Sequence, residues 1–454
     1  PFTLDITDIL AEGENTLTAA VTDRTSKGPH AYGKQSFTPG GIWYTPQSGI
    51  WQTVWLEAVP ENYIKSLRFT PLYDEKTVRL QIEADRAEGA NIVVRKAGEV
   101  IAEEWTDEKG EAAVLIQAEH FRPWSPDDPF LYDVTVTLGE DRVESYFALR
   151  KISVVERQGQ KVLALNDRPI FLSGVLDQGY WPDGLYTAPS DEALVYDIQT
   201  MKDLGFNLLR KHIKIEPLRW YYHCDRLGML VWQDLVSGGS HMNPLVIQVL
   251  PFLGVHLRDW RHQLFGRGDE AGRDQFVQDL YDTVALLYNT PSLAAWVPFN
   301  EGWGQFDSLQ ITQLLWEEDG TRLVDHASGW HDQGGGDFKS RHVYFHKVRL
   351  RPDGRRVLAL TEFGGYSLPL PGHTASDREF GYRMYRGAEE LTAAWRRLYE
   401  GEVIPHMERR GLSAAVYTQL SDVEEEVNGL LTYDRKVCKV DPAVVREINR
   451  RLRF

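Results

Sequence analysis

Leu293-Ala294-Ala295-Trp296-Val297-Pro298-Phe299-Asn300-Glu301-Gly302-Trp303-Gly304 is an apolar run that stops at an amide, a carboxyl group and two glycines. A short, continuous apolar run bounded by turn residues reads as a strand buried on both faces. Leu358-Ala359-Leu360-Thr361-Glu362-Phe363-Gly364-Gly365 repeats the pattern with a second carboxyl group. Similar runs are Ile170–Val175, Asn207–Arg210, Met229–Trp232, Leu323–Asp325, His342–Phe345 and Ala414–Tyr417. Helical stretches lie between them. In one, Ser190 is placed to cap a helix with Leu194, Ile198 and Met201 on one face and Gly205 as its stop. Eight strands alternating with helices predict a (β/α)8 TIM barrel over residues 149–454, with its chemistry at the C-terminal strand ends. An open, doubly wound sheet is the alternative, and the Gly-x-Gly-x-x-Gly that would support it does not follow the first strand.

Upstream of the barrel the texture changes to short runs of period two, such as Val78–Ile82, Ile92–Val94 and Leu131–Leu138. Residues 60–148 have the length and strand count of one antiparallel β-sandwich. Residues 1–59, with Leu17–Val21 among their candidates, hold four or five strands, too few to close a sandwich. We therefore expect an incomplete sandwich there, leaning on the barrel or on a partner. The chain opens Pro1-Phe2-Thr3 without Met, which predicts a fragment of a longer polypeptide.

Composition narrows the class. With 454 residues, 42% hydrophobic and 26% charged, the chain is globular and not disordered. No 18-residue apolar run is available for a membrane-spanning helix. Lys+Arg 50 against Asp+Glu 66 gives a net charge of −16, which repels nucleic acid and anionic membranes. Cys224 and Cys438 are the only cysteines, so no disulfide framework holds the fold; a reducing, cytoplasmic compartment is expected. A homo-oligomer is left open.

Polar residues just past the strand ends form the list of candidates: Asp177, Gln178, Arg210, His212, Asp234, Asn300, Glu301, Asp325, His326, His342, Tyr344, Glu362, Gln419 and Asp422. Two glutamates converging on one barrel mouth suit acetal hydrolysis. One protonates the departing oxygen, and the other attacks the anomeric carbon or activates water. The glycines beside each glutamate let a sugar ring approach the backbone, and Trp303 offers a flat apolar face. The bland alternative is a pair of carboxylates placed for solvation or for a helix dipole. His342 and His346 have the i, i+4 spacing that chelates zinc on a helix, but Val343, Tyr344 and Phe345 between them favour a strand. Four strand residues span about 13 Å, too far for one ion.

These residues carry a resemblance. The chain resembles glycoside hydrolase family 2, which contains β-galactosidases, β-glucuronidases and β-mannosidases. Gly49-Ile50-Trp51-Gln52-Thr53-Val54-Trp55-Leu56 is similar to the end of that family's sugar-binding jelly roll. The stretch from Pro123-Trp124-Ser125-Pro126 to Pro129-Phe130-Leu131-Tyr132 is similar to its immunoglobulin-like domain, and Phe147-Ala148-Leu149-Arg150 to its barrel entry. Asn300-Glu301 resembles the acid/base strand and Thr361-Glu362-Phe363-Gly364 the nucleophile strand.

The resemblance implies a partial jelly roll (1–59), an immunoglobulin-like sandwich (60–148) and a catalytic barrel (149–454) acting on a carbohydrate by a retaining, two-glutamate mechanism. It implies that Arg210 holds Glu362 ionised, that Asn300 donates to the sugar 2-hydroxyl and that Tyr344 touches the nucleophile. Asp177, His212, Trp303 and His342 complete the expected substrate contacts. No cofactor is required on this reading, and a small cation is left open. The chain departs from the family where Ile213 stands in the register of a histidine, with His212 one place off. No Asn-x-Lys element of β-glucuronidases is apparent after the last strand, where Asp422-Val423-Glu424-Glu425-Glu426-Val427-Asn428-Gly429 stands instead. This favours a β-galactosidase over a uronidase; a non-catalytic carbohydrate-binding homologue is the alternative from another class.

Overall fold

A computed structural model describes residues 2–240 and 242–454. Its largest unit is an eight-stranded parallel sheet rolled into a barrel: β1 (Leu172–Asp177), β2 (Leu208–Lys211), β3 (Leu230–Asp234), β4 (Leu293–Val297), β5 (Leu323–Val324), β6 (Phe338–Val343), β7 (Val357–Gly364) and β8 (Leu412–Thr418). The ladder runs β5-β4-β3-β2-β1-β8-β7-β6. Between β5 and β6 the ring closes without a strand ladder. There the Asp337 amide donates to the Val324 carbonyl at 2.8 Å, and the Asp337 carboxylate accepts from the Val324 amide at 2.8 Å.

The apolar runs become central strands because both faces are covered. Leu176, Trp232, Ala295, Phe338, Ala359 and Val416 fill the barrel interior. On the outside the helices bury an apolar stripe, as Asp191–Asp203 does with Leu194, Ile198 and Met201. The Ser190 hydroxyl accepts from the Ala193 amide at 3.3 Å, supplying one of the partners a helix start lacks.

The sixth strand differs from expectation. It starts at Phe338, so His342 lies near its end and Tyr344 beyond it. Its polar residues hid it: Ser340 faces inward and donates to Asp325 at 2.7 Å, which lets a non-apolar residue occupy the interior.

Residues 66–147 form two antiparallel sheets. One comprises Ser66–Leu72, Thr77–Glu83 and Glu111–Leu115; the other comprises Glu99–Trp105, Asn91–Lys96, Tyr132–Leu138 and Asp141–Phe147. Alternation orients them, with Val78, Leu80 and Ile82 packed inward against Ile92, Val94 and Val134. Asp225, in helix Leu218–Leu227, docks this sandwich on the barrel. Its carbonyl accepts from the Trp124 indole at 2.8 Å, and its carboxylate accepts from the Tyr146 hydroxyl at 2.8 Å and the Ser292 amide at 2.7 Å.

The strands expected in residues 1–59 do not form among the described residues, where the one regular element is the short 3-10 turn Thr7–Ile9. A strand exists only when a partner takes its backbone groups, and Leu17 and Val21 are 75% and 54% exposed. Residues 31–52 instead line the barrel mouth. The amides of Tyr32 and Gly33 donate to the Ser237 carbonyl at 3.0 and 2.9 Å, and the Gln52 side chain donates to the Ile215 carbonyl at 3.1 Å.

Candidate active site

Glu301 follows β4 and Glu362 lies in β7, and both are buried, 7% and 4% exposed. Glu301 has a left-handed φ of +52° and Gly302 one of +76°. A non-glycine residue there is strained, and such strain concentrates at functional sites. His342 lies between the two carboxylates. Its Nδ1 is 2.8 Å from Glu301 Oε1, and its Nε2 is 3.7 Å from Glu362 Oε1 and 3.2 Å from the Ser328 hydroxyl. Gly329 makes room for this ring: a Cβ there would lie 2.4 Å from it, and its φ is +83°. One oxygen of Glu301, one of Glu362 and a nitrogen of His342 lie within 4.8 Å of one another, a set that could also hold a metal ion.

The two carboxyl groups are supported differently. Glu362 Oε1 accepts from Arg210 Nη1 at 3.1 Å, and Glu362 Oε2 accepts from the Tyr344 hydroxyl. Burial alone would push Glu362 up, but the His342 imidazole, the Arg210 guanidinium and the Tyr344 hydroxyl outweigh it and bring it down to about 2. For Glu301 burial dominates, reinforced by the Glu362 charge and only partly offset by the hydrogen bond from His342, so its pKa lies above the usual carboxylate range.

Arg210, on β2, organises the floor. It donates through Nε and Nη2 to both oxygens of Asp234 at 2.9 and 3.0 Å, and through Nη2 to Asn300 Oδ1 at 2.8 Å. With that oxygen engaged, Asn300 Nδ2 is buried and has no partner among the described residues. His212 Nδ1 is 2.7 Å from Asp234 Oδ2, and burial together with the Lys34 charge keeps the imidazole well below its usual pKa.

The fold thus gathers Glu301, Glu362, Asn300, Arg210, His212, His342 and Tyr344 at one mouth. Trp303 is there too, but 4% exposed, its ring 5.3 Å from that of Trp43. Asp177 lies in a separate buried cluster, paired with Lys211 at 2.7 Å; Lys211 and Lys214 each lie 2.9 Å from Glu216. Sequence reasoning missed Tyr382, whose ring stacks on Tyr344 at 3.9 Å, and Lys34 and Trp43 from the N-terminal segment. Those residues sit outside the strand-end pattern, so no periodicity marked them.

Residues 62–150 match the model described as Glycosyl hydrolases family 2, and residues 155–346 match Glycosyl hydrolases family 2, TIM barrel domain. The chain belongs to glycosyl hydrolases family 2. Its curated relatives include a β-galactosidase of Lactococcus lactis subsp. lactis, 27% identical over 306 residues, covering 62% of this chain and 29% of that protein. A β-galactosidase of Clostridium acetobutylicum is 25% identical over 348 residues, covering 71% and 35%. The chain therefore spans about a third of the length of these curated relatives. Among solved structures, a β-D-glucuronidase of Dictyoglomus thermophilum shares the fold at a TM-score of 0.66 and 15% identity, over 87% of this chain and 69% of that one. A family 2 β-galacturonidase of Eisenbergiella tayi does so at a TM-score of 0.62 and 17% identity, over 87% and 74%.

Proposed function

We propose that this chain hydrolyses β-glycosides with retention of anomeric configuration, through Glu362 as nucleophile and Glu301 as acid and then base. The observation that carries the reading is the pair itself: two buried carboxyl groups with oxygens within 4.8 Å and pKa values pushed in opposite directions. Carboxyl groups about 5–5.5 Å apart act as acid and nucleophile, whereas inverting pairs at about 6.5–9.5 Å leave room for a water between them.

In the first step a Glu362 oxygen bonds to the anomeric carbon while Glu301 gives its proton to the departing oxygen. In the second, Glu301 takes a proton from water, whose oxygen displaces Glu362 and restores the starting anomer. Arg210 and Tyr344 hold Glu362 ionised for attack. Asn300 Nδ2, without a partner among the described residues, is oriented by Arg210 and would donate to the sugar 2-hydroxyl. The names of the curated relatives favour a galacto-configured sugar as the first substrate to test.

A panel of aryl β-glycosides followed by NMR tests the reaction: the first-formed sugar should be the β anomer. A 2-deoxy-2-fluoro glycoside should leave its sugar on Glu362 in a peptide map. An α anomer, or a label elsewhere, refutes the double displacement.

A further inference from the structure

The loop after β3 is apolar on both its inner and its outer side. It holds two short helical turns, Leu245–Val249 and Pro251–Leu253. Val246 and Ile247 are buried in one cluster with Phe265 and Trp303, and the Val246 carbonyl lies 3.0 Å from His331 Nε2. The loop is thereby fixed to the segment that carries Glu301. Leu245, Val249, Phe252 and Leu253 are exposed. Phe252 belongs to a chain of ring contacts. It meets Trp330 at 5.3 Å and Phe345 at 5.9 Å, Phe345 meets Tyr382 at 5.5 Å, and Tyr382 stacks on Tyr344 at 3.9 Å. At one end Trp330 lies 6.2 Å from the ring of His342, whose Nδ1 is 2.8 Å from Glu301; at the other end Tyr344 donates to Glu362. The rings run from beside the acid to the nucleophile. Between those ends Phe252 and Phe345 remain 46% and 60% exposed.

Polar and apolar groups are thus sorted within one mouth. Arg210, Asp234, Asn300 and His212 make a hydrogen-bonded floor that suits a hydroxylated ring, and the rim is built of aromatic faces. A contiguous exposed apolar face beside a catalytic pair is a place where a ligand can bury apolar surface. The departing oxygen must lie against Glu301, so the group it carries leaves the sugar pocket past His342 and Trp330. We propose that Phe252, Trp330 and Phe345 form the aglycone site, and that the substrates are β-glycosides of a flat, apolar alcohol or phenol. A second sugar would also need hydrogen-bond partners for its hydroxyls, whereas Val249, Leu253 and the two phenylalanines offer none. The inference rests on the glycosidase reading above and deepens it. The chemistry is unchanged: the aglycone departs as the free alcohol or phenol, carrying the proton of Glu301.

Because the acidity of a leaving group alters rate independently of binding, the test uses 1-thio-β-glycosides, whose carbon–sulfur bond resists cleavage. Methyl, phenyl and 2-naphthyl thiogalactosides, with the gluco-configured series and a thio-linked disaccharide beside them, are titrated calorimetrically and as competitive inhibitors. Affinity should rise from methyl to phenyl to 2-naphthyl, the last step by about 5- to 10-fold, the size of burying one more fused ring. Phe345→Ala and Phe252→Ala should each lower the affinity for the naphthyl glycoside by about 5- to 10-fold and the naphthyl-to-methyl ratio with it. Phe345→Trp should keep that ratio, which separates a lost ring from a misfolded loop. Equal affinity for all three aglycones overturns the proposal, as does an alanine variant that keeps the wild-type ratio. Tighter binding of the thio-linked disaccharide than of the naphthyl glycoside also overturns it, since the rim would then hold a sugar. If no O-glycoside is cleaved but the naphthyl preference is present and is lost in Phe345→Ala, the catalytic reading fails and the aglycone site stands; absence of binding by every thioglycoside ends it.

Discussion

Tyr344 links the chemistry of one carboxylate to the pH at which the site can work. Its hydroxyl donates to Glu362, and that bond is among the causes that hold Glu362 ionised down to about pH 2. A depressed carboxylate is active above its pKa and fails as pH falls through it. Removing the donor raises that pKa, so Tyr344→Phe should move the acid limb of kcat/KM upward, with a loss of about 10- to 100-fold at the optimum from one charge-assisted bond. An unmoved limb would show that Arg210 and His342 suffice. The basic limb belongs to Glu301, which must be protonated to act as acid. Glu301→Ala should therefore lose that limb and about 10²- to 10⁴-fold of rate on poor leaving groups, while azide restores cleavage of activated ones to a β-azide. Equal loss on all leaving groups, with no rescue, would remove Glu301 from the role.

At the scale of elements, the Ser190 cap is the clearest case of local sequence written into local structure. Ser190→Ala should cost about 1 kcal/mol in denaturant unfolding and Ser190→Asp very little, because either oxygen can accept from the first turn. Each barrel strand could be located in the sequence because a strand covered on both faces needs a continuous apolar run, and few other segments do. Ser340 blurred the sixth, since one inward hydroxyl with a carboxylate partner interrupts the run. Residues 31–52 were opaque for a different reason: their conformation is set by Ser237, Ile215 and the loop after β8, none of them nearby in sequence. The two glutamates were legible because each ends an apolar run beside glycine. Lys34 was not, since nothing local distinguishes a lysine bound for the interior from one bound for solvent.

For the whole molecule, Asp225 joins sandwich and barrel. Burial raises its carboxyl to about 7, against the hydrogen bonds from Ser292 and Tyr146. A carboxyl group whose folded pKa exceeds its unfolded value near 3.8 takes up a proton on folding between those limits, so its contribution to stability falls as pH rises from about 4 to 7. Asp225→Asn should remove that part of the pH dependence, leaving a flatter Tm profile from pH 4 to 7 than the wild type shows. Parallel profiles would mean that Asp225 is not the group responsible.

The contacts between the N-terminal segment and the loop after β8 have a consequence in time. The Tyr44 hydroxyl donates to Glu426, 382 residues away, and the Thr45 amide to Glu424, 379 residues away. At about 5–20 residues per second, a ribosome makes the second partner some 20 to 75 s after the first. Lys34, Trp43 and Tyr44 thus wait, already synthesised, for the last barrel strand to emerge, and the mouth of the site is assembled by two segments some 380 residues apart in the chain.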